Sequence, residues 1–441
     1  MSWNPVLDFV VKVKQDFLKI YGHYRKVCDV PWNDDEVYDY ENASCSSVKY
    51  KNVVEYWIDI IDKEEYKEII SMVDINQFGD YILIRYKDYS DIYSQFDEER
   101  FWSMYDGFYR ECRTVVIDIK DLKIVSCGFR KFFNINELPE TAEDVIIDRI
   151  NKAKRVEVSD KLDGSMMIAS CYKDRIIMCS AHALNPTTSW RLQDAIKMLL
   201  SDDNFRLREA IRQYPSYSFI FEYISMKDQH IVKYTKEQEG LYLIGVRNKK
   251  TGSQLSYKAI NNIAQAFNIK TTKVFNKTFD EVKEDTKIYK SDEKEGYVLN
   301  IDEYFVKIKT DDFIMMHKTI SGLVSPNTII KNIADNTFDD FFSRVPLMYK
   351  DRVKEIADYV FKYIMNTKLI SEKYFSEAPK ENRREFMIWV DTNVPKLYKG
   401  YVRNMYLGEN VNYIKTHNGH YKKMSEMGYK GEYLDLFDSV D

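Results

Sequence analysis

The stretch SDKLDGSMM (Ser159–Met167) sets a lysine two positions ahead of Asp-Gly, between two segments that read as strands. Lys161 could be a surface lysine flanking a tight turn, since Asp-Gly is a common hairpin signal. It could also be a nucleophile whose amine attacks a nucleotide. The second chemistry makes demands that the rest of the chain must meet. The amine must be deprotonated, which needs nearby cations or desolvation. A triphosphate must be held in line by basic residues and a metal ion. Carboxylates must engage ribose or metal, and something apolar must hold the base.

Residues of these types follow in order. Glu222 stands in the apolar run FIFEYI, where a carboxylate is costly unless it is satisfied; the alternative is an edge-strand glutamate facing water. Glu295 and Gly296 open EGYVLN, which read alone is equally a loop glutamate before a turn glycine. Lys307 and Lys309 in VKIKT are two apart on a strand and so share one face. They are either a solvated polar pair or the two sides of an anion site.

The elements that must position these residues are strands. From Tyr81 the runs YILIRY, RTVVIDI, KIVSCGF, RVEVS, SMMIASCY and RIIMCSA predict short strands. SFIFEYI, HIVKY, LYLIGV, QLSY and the hairpin-like YVLNI–DE–YFVKIKT continue them, interrupted by helices over Ser189–Tyr214 and Lys258–Phe267. Pro5–Tyr21 and Val53–Ser71 recur at the helical period, separated by the polar NDDEVYDYENASCSS. Beyond about Thr310 the pattern is helical, as in DRVKEIADYVFKYIMNTKLI and ENRREFMIWVDTNV. The expected fold is α+β: a core of antiparallel sheets with flanking helices over 76–318, a helical N-terminal region over 1–75, and an all-helical C-terminal domain over 319–441.

Composition narrows the class. The 441 residues are 44% hydrophobic and 31% charged, with 15 glycines and nine prolines, as expected of a soluble protein of two or more domains. No apolar run approaches the ~20 residues that cross a membrane, and the N-terminus reads as no signal peptide. The expectation is a cytoplasmic protein with no membrane partner and no obligatory protein partner. The six cysteines form no Cys-x-x-Cys pair, so reduced thiols are expected rather than disulfides or zinc. His417 and His420 read as solvated tail residues rather than a metal site. A net charge of −5 argues against a surface coated in positive charge but allows a local basic groove. The 34 tyrosines and 24 phenylalanines could supply stacking platforms, though most are core.

Taken together, Lys-x-Asp-Gly, a strand-borne Glu, Glu-Gly opening a strand and Lys-x-Lys resemble the covalent nucleotidyltransferases, the superfamily of ATP-dependent ligases and mRNA capping enzymes. ECRTVVID (Glu111–Asp118) and RKFFNINE (Arg130–Glu137), with KLDGS, FIFEYISMKDQHIV, EGYV and VKIKTDDF, narrow the likeness. From about Tyr81 to His317 the chain resembles the bacteriophage T4 RNA ligase 1 family of tRNA-repair ligases. The resemblance implies an ATP-dependent RNA ligase that uses Mg²⁺ or Mn²⁺ to join a 5′-phosphate to a 3′-hydroxyl, with broken tRNA as partner. By it, Lys161 forms lysyl-AMP. Tyr86, Arg113, Lys131 and Phe133 bind ATP, with Phe133 in the adenine pocket, and Glu222 binds ribose. Glu295 and Asp339 (or Asp340) serve the metal, and Lys307 and Lys309 contact the α-phosphate. Two such lysines would also depress the Lys161 pKa, and Asp163 would orient the turn.

One stretch departs from the family. MCSAHALN carries Cys179 and Ala181 where the resemblance expects lysines, a loss that Arg191 could make good. DNA ligases and capping enzymes remain alternatives, but both carry an OB-fold after Lys-x-Lys, where this chain reads as helix. A noncatalytic RNA- or nucleotide-binding protein is a further alternative, opposed by the complete set of motif side chains. KLYKGYVRNMY and IKTHNGHYKK could form an RNA-contacting face or simply a solvated basic one.

Overall fold

The computed structural model describes residues 2–28, 50–87, 98–323, 326–334, 337–345 and 347–409. The polar stretch 33–47, IKTHNGHYKK, His417 and His420 lie outside them. The chain divides into two compact units, Met1–Ile314 and Met315–Asp441.

In the first unit the strands are β1 (Val73–Phe78), β2 (Tyr81–Tyr86), β3 (Val115–Asp118), β4 (Lys123–Cys127), β5 (Phe133–Asn134), β6 (Val156–Lys161) and β7 (Ser165–Tyr172). They continue with β8 (Arg175–Ser180), β9 (Tyr217–Ile224), β10 (Gly240–Asn248), β11 (Val274–Phe275), β12 (Gly296–Ile301) and β13 (Tyr304–Lys309). They form three sheets, ordered β1-β2-β3-β4, β10-β9-β7-β8 and β11-β6-β12-β13-β5. All pairings are antiparallel except β13 with β5.

The period-two alternation of side chains explains the layering. Leu83, Val116 and Val125 of the first sheet meet Ile168, Cys179 and Ile220 of the second in one core. Their neighbours Ile82, Ile84, Val115 and Ile117 point the other way, into a core shared with Val6, Val10 and Val13 of the helix Pro5–Cys28 and Trp57 of the helix Val53–Ile61. In the second sheet Met167, Ala169, Phe219 and Phe221 pack under the helices Trp190–Leu200, Phe205–Gln213 and Tyr257–Phe267. The third sheet buries Val158, Leu299, Val306 and Ile308 with Ile146 of the helix Glu143–Lys152 and Val282 of the helix Phe279–Ile288. Its opposite face is left for polar groups.

Several elements differ from the sequence pattern for local reasons. Val53–Ser71 is two helices, because Asp62 adopts a left-handed φ of 55° and ends the first. The region Ser189–Tyr214 also holds two, separated by a 3₁₀ turn at Asp202–Asn204. VDINQF is strand β1, paired along its length with β2. HIVKY is not a strand, because the amides of Ile231 and Val232 donate to Asp163 instead of a ladder. QLSY contributes only an isolated bridge between Gln254 and Arg247.

The second unit is helical in its described residues, with helices Pro326–Ala334, Phe338–Arg344, Leu347–Glu377, Arg383–Asn393 and Lys396–Leu407. Ile329, Ile333, Val353 and Ile356 form one core; Phe386, Val390, Tyr398 and Val402 form another. The fold is therefore α+β with antiparallel sheets and flanking helices, followed by a helical C-terminal region. No described helix is long and apolar enough to cross a membrane.

Candidate active site

Strand register brings the sequence-distant residues together. In the third sheet Lys161 of β6 aligns with Gly296 of β12, which aligns in turn with Lys309 of β13. Two positions along, Ser159, Val298 and Lys307 form the next row. All three lysines therefore stand on one face, opposite the apolar core. Gly296 is required where it sits: a Cβ there would lie 2.1 Å from the Ile308 carbonyl oxygen. The Glu-Gly step thus lets β12 close against β13 and delivers Glu295 between the lysines. Its carboxylate lies 2.6 Å from Lys161 Nζ and 3.0 Å from Lys309 Nζ.

The lysine face and the second sheet enclose a cavity of about 140 Å³. Lys161, Lys307, Lys309, Glu222 and Arg113 give it a charged end; Ile244, Met166, Val298 and Phe132 give it apolar walls. Glu222 enters because it lies on the same face of β9 as Ile220, and its Oε1 accepts a 3.0 Å hydrogen bond from the Gly164 amide. A side chain at Gly164 would strike the Tyr223 carbonyl oxygen at 2.4 Å, so the Asp-Gly turn needs its glycine. Arg113 has its Nη1 buried without a hydrogen-bond partner among the described residues, 5.0 Å being the distance from its guanidinium carbon to the Phe132 ring. A buried donor in this state calls for an acceptor from whatever fills the cavity.

The electrostatics overturn one expectation. Burial would lower the Lys161 ammonium, but the Glu295 and Glu222 carboxylates outweigh it and hold its pKa above the ordinary lysine value. Lys307 carries the depression instead. Burial, Lys131, Arg113 and Lys161 push it well below the lysine range. Burial raises the Glu222 carboxyl to about 7.

Asp163 is held by residues that the sequence reading did not single out. Its Oδ2 accepts from the Ile231 and Val232 amides at 2.8 and 2.9 Å, and its own amide donates to Tyr234 Oη. His230 stands between two carboxylates, with Nδ1 3.5 Å from Asp163 and Nε2 3.6 Å from Asp228. Both nitrogens face oxygen, so the ring suits the doubly protonated form. Asp163, then Asp228, raise its pKa to about 10. Asp228 also accepts from Ser165 Oγ and pairs with Arg191 at 2.6 Å, tying both sides of the Asp163–Gly164 turn to one loop.

The folded His230 pKa lies above its ordinary value, so its stabilisation is complete below about pH 6.5 and is lost as pH rises toward 10. The difference in unfolding midpoint between the native chain and His230→Gln should therefore be largest at pH 6 and shrink steadily through pH 9. A difference constant across that range would show that His230 is not held as a cation.

The other expected site residues fall into three groups. Lys131 and Phe133 line a neighbouring cavity, and Tyr86 packs edge-on against Trp102 at 5.2 Å. Phe133 is only 1% exposed, and the cavity that holds Lys161 is lined by Phe132 and not by Phe133. Phe132 lines both cavities, and Phe133 only the second. Asp339 and Asp340 are exposed in the first turn of a helix in the second unit. Cys179 lies fully buried in the core between the first two sheets, not at a site position. Arg191, the substitute considered for the missing lysines, is engaged by Asp228. Ser159, Tyr257 and Thr272 also line the cavity; their types, common in any core, gave no signal.

Glu295 is the residue suited to a divalent cation. Among the described residues no group of three or more His, Cys, Asp or Glu could hold a metal. A hard cation needs only one or two carboxylates when substrate phosphates complete its shell, and Glu295 with a bound triphosphate fits that pattern.

Residues 111–318 match the family model described as RNA ligase. A protein of Thermovibrio ammonificans, named provisionally as an RNA ligase, is 28% identical over 282 residues, covering 60% of this chain and 70% of the relative. A protein of Autographa californica nuclear polyhedrosis virus, named provisionally as a bifunctional polynucleotide kinase/RNA ligase, is 24% identical over 277 residues. That alignment spans 56% of this chain and 36% of the viral protein. Among solved structures, an archaeal ATP-dependent RNA ligase aligns over 79% of this chain and 96% of its own, at 13% identity and a TM-score of 0.41. The matched segment 111–318, which holds Lys161, Glu222, Glu295, Lys307 and Lys309, is thus similar to the RNA ligase family.

Proposed function

We propose that this chain is an ATP-dependent RNA ligase in which Lys161 is the adenylylated residue. The observation that carries the reading is Lys161 in a cavity that also holds Glu222, Arg113, Lys307 and Lys309, with Glu295 2.6 Å from its amine. In the first step Nζ bonds to the α-phosphorus of ATP, the bond to the β-phosphate oxygen breaks, pyrophosphate leaves and the amine gives up its proton. In the second step an oxygen of an RNA 5′-phosphate takes the AMP phosphorus and the P–N bond breaks. In the third the RNA 3′-hydroxyl attacks that 5′-phosphate, loses its proton and releases AMP.

The chain's residues divide this work. Glu295 holds Lys161 as an ammonium at rest, so the pair must separate before attack. Lys307 and Lys309, on the same face, offset charge that builds on the α-phosphate. Glu222 offers one oxygen to Gly164 and keeps the other for a ribose hydroxyl, while Arg113 donates to phosphate. Lys131, close enough to Lys307 to lower its pKa, reaches the same charge from the neighbouring cavity. Tyr86 and Phe133 support Lys131, whose amine lies 5.8 and 5.0 Å from their rings. A divalent ion, Mg²⁺ or Mn²⁺, would sit at Glu295 and shield phosphate charge.

Residues 76–318 carry adenylyl transfer in this reading, and the helical 319–441 serve the RNA. The substrate is RNA with 5′-phosphate and 3′-hydroxyl ends, with broken tRNA as its physiological form. Cys112, Cys127, Cys171 and Cys179, all free and buried, support a reducing, cytoplasmic setting.

Two assays test the reading. With α-labelled ATP and Mg²⁺ the protein should acquire an acid-labile label, and it should then seal a nicked tRNA anticodon loop in preference to unstructured RNA or DNA. Absence of the label would remove the ligase reading, and labelling from GTP alone would point to a capping enzyme. Equal sealing of all three substrates would remove the tRNA assignment.

A further inference from the structure

The ion pair that holds Lys161 has a counterpart of opposite sense one residue back. Lys161 and Glu295 meet over the cavity at 2.6 Å. The residues just before them, Asp160 and Lys294, pair with each other, the Lys294 amine donating to the Asp160 carboxylate. Side chains alternate along a strand, so Asp160 leaves β6 on the face opposite Lys161. One pair therefore spans β6 and the start of β12 on each side of the third sheet.

Lys294 is closely confined. Its side chain is 9% exposed, and its amine lies 4.0 Å from the Tyr297 ring, 4.8 Å from Phe275 and 5.7 Å from Tyr289. Tyr297 donates its hydroxyl to Asp285, which Lys277 also engages. Asp285 with Lys277 and Asp160 with Lys294 thus form two matched pairs, with no net charge among the four.

Asp160 is a junction in its main chain as well. Its amide donates to the Lys273 carbonyl and its carbonyl accepts from Thr272 Oγ1, both at 2.8 Å. Glu295 needs such an anchor, because it stands one residue ahead of Gly296, where the ladder between β6 and β12 begins. The Thr310 amide holds the Glu295 carbonyl at 2.9 Å, and Lys294 ties the preceding residue to β6.

The chemistry removes the pair on the cavity face. Lys161 must leave Glu295 to attack, and as lysyl-AMP its nitrogen no longer carries a positive charge. The pair on the far face keeps both of its charges throughout. We propose that Asp160 and Lys294 are positioning residues for adenylyl transfer, whose pair keeps Lys161 and Glu295 aligned while the ion pair between those two is broken. The assignment rests on the ligase reading above, and the test separates the two.

Native protein, Lys294→Arg, Lys294→Met and the double variant Asp160→Asn/Lys294→Met are labelled with α-labelled ATP in single turnover, and their melting midpoints are measured. Lys294→Met leaves Asp160 without its cation, so it should melt lower. At saturating ATP it should label roughly 10- to 100-fold more slowly, the range that a misplacement of about 1 Å can produce. The ATP concentration for half-maximal rate should stay at the native value. Lys294→Arg keeps a cation against the same carboxylate and rings, and should recover most of the rate. The double variant strands no charge, so it should melt close to the native chain and yet label as slowly as Lys294→Met. If Lys294→Met does not fold, the double variant carries the test. Labelling at the native rate by the double variant would overturn the proposal and reduce the pair to a stability contact. A raised ATP requirement at an unchanged maximal rate would also overturn it, by giving the pair to nucleotide binding. Both results leave the ligase reading intact. If the native protein takes no label, that reading fails and the proposal falls with it.

Discussion

Lys161→Ala and Lys161→Arg should both lose the acid-labile AMP label entirely, a fall of at least about 10⁴-fold in the rate of adenylylation. Alanine has no nucleophile, and an arginine with a pKa above about 12 keeps its nitrogens protonated at any working pH. The two variants differ in the pocket they leave. Lys161→Ala strands Glu295 without its 2.6 Å partner, though Lys309 still faces the carboxylate at 3.0 Å. Lys161→Arg retains a cation there and should melt closer to the native chain. Neither substitution removes the groups needed for the third step, in which the 3′-hydroxyl displaces AMP from RNA. Both variants should therefore still join an RNA whose 5′ end has been adenylylated chemically. That control distinguishes a missing nucleophile from a misfolded site. A label that persists in Lys161→Ala would remove Lys161 from the mechanism.

The order of the chemical groups could be read from the chain because each stands out against its strand. Glu222 interrupts an apolar run, Lys307 and Lys309 occupy one face of a strand, and Gly296 follows a glutamate where only glycine fits. These are constraints that a linear pattern records. What it does not record is which groups meet across strands. The pairing of Glu295 with Lys161 is a matter of register, and it reverses the expected direction of the Lys161 pKa. The loop over HIVKY alternates like a strand, yet it spends two amides and an imidazole on two carboxylates beside the Asp163–Gly164 turn. The Phe132–Phe133 doublet offers two rings of one type, and only the turn of β5 decides which faces the cavity. Cys179 looked like a lost lysine by position, but β8 directs it into the core.

Lys307→Met should slow adenylylation by about 10²- to 10³-fold, the usual cost of removing one group aimed at developing charge. It should also change the protons exchanged on binding ATP. In the empty site, burial together with Lys131, Arg113 and Lys161 holds Lys307 well below the ordinary lysine value. A bound triphosphate brings negative charge against the same amine and must raise that pKa. At a pH above the free-site pKa, ATP binding to the native chain should therefore take up a proton at Lys307, and nucleotide affinity should fall as pH rises through that pKa. Calorimetry at a series of pH values from about 6 to 10, each in two buffers of different ionisation enthalpy, reads this uptake directly. The native chain should take up more protons than Lys307→Met, because methionine cannot titrate. Equal uptake would mean that Lys307 is already charged in the empty site, and that its role in binding phosphate is not coupled to a proton.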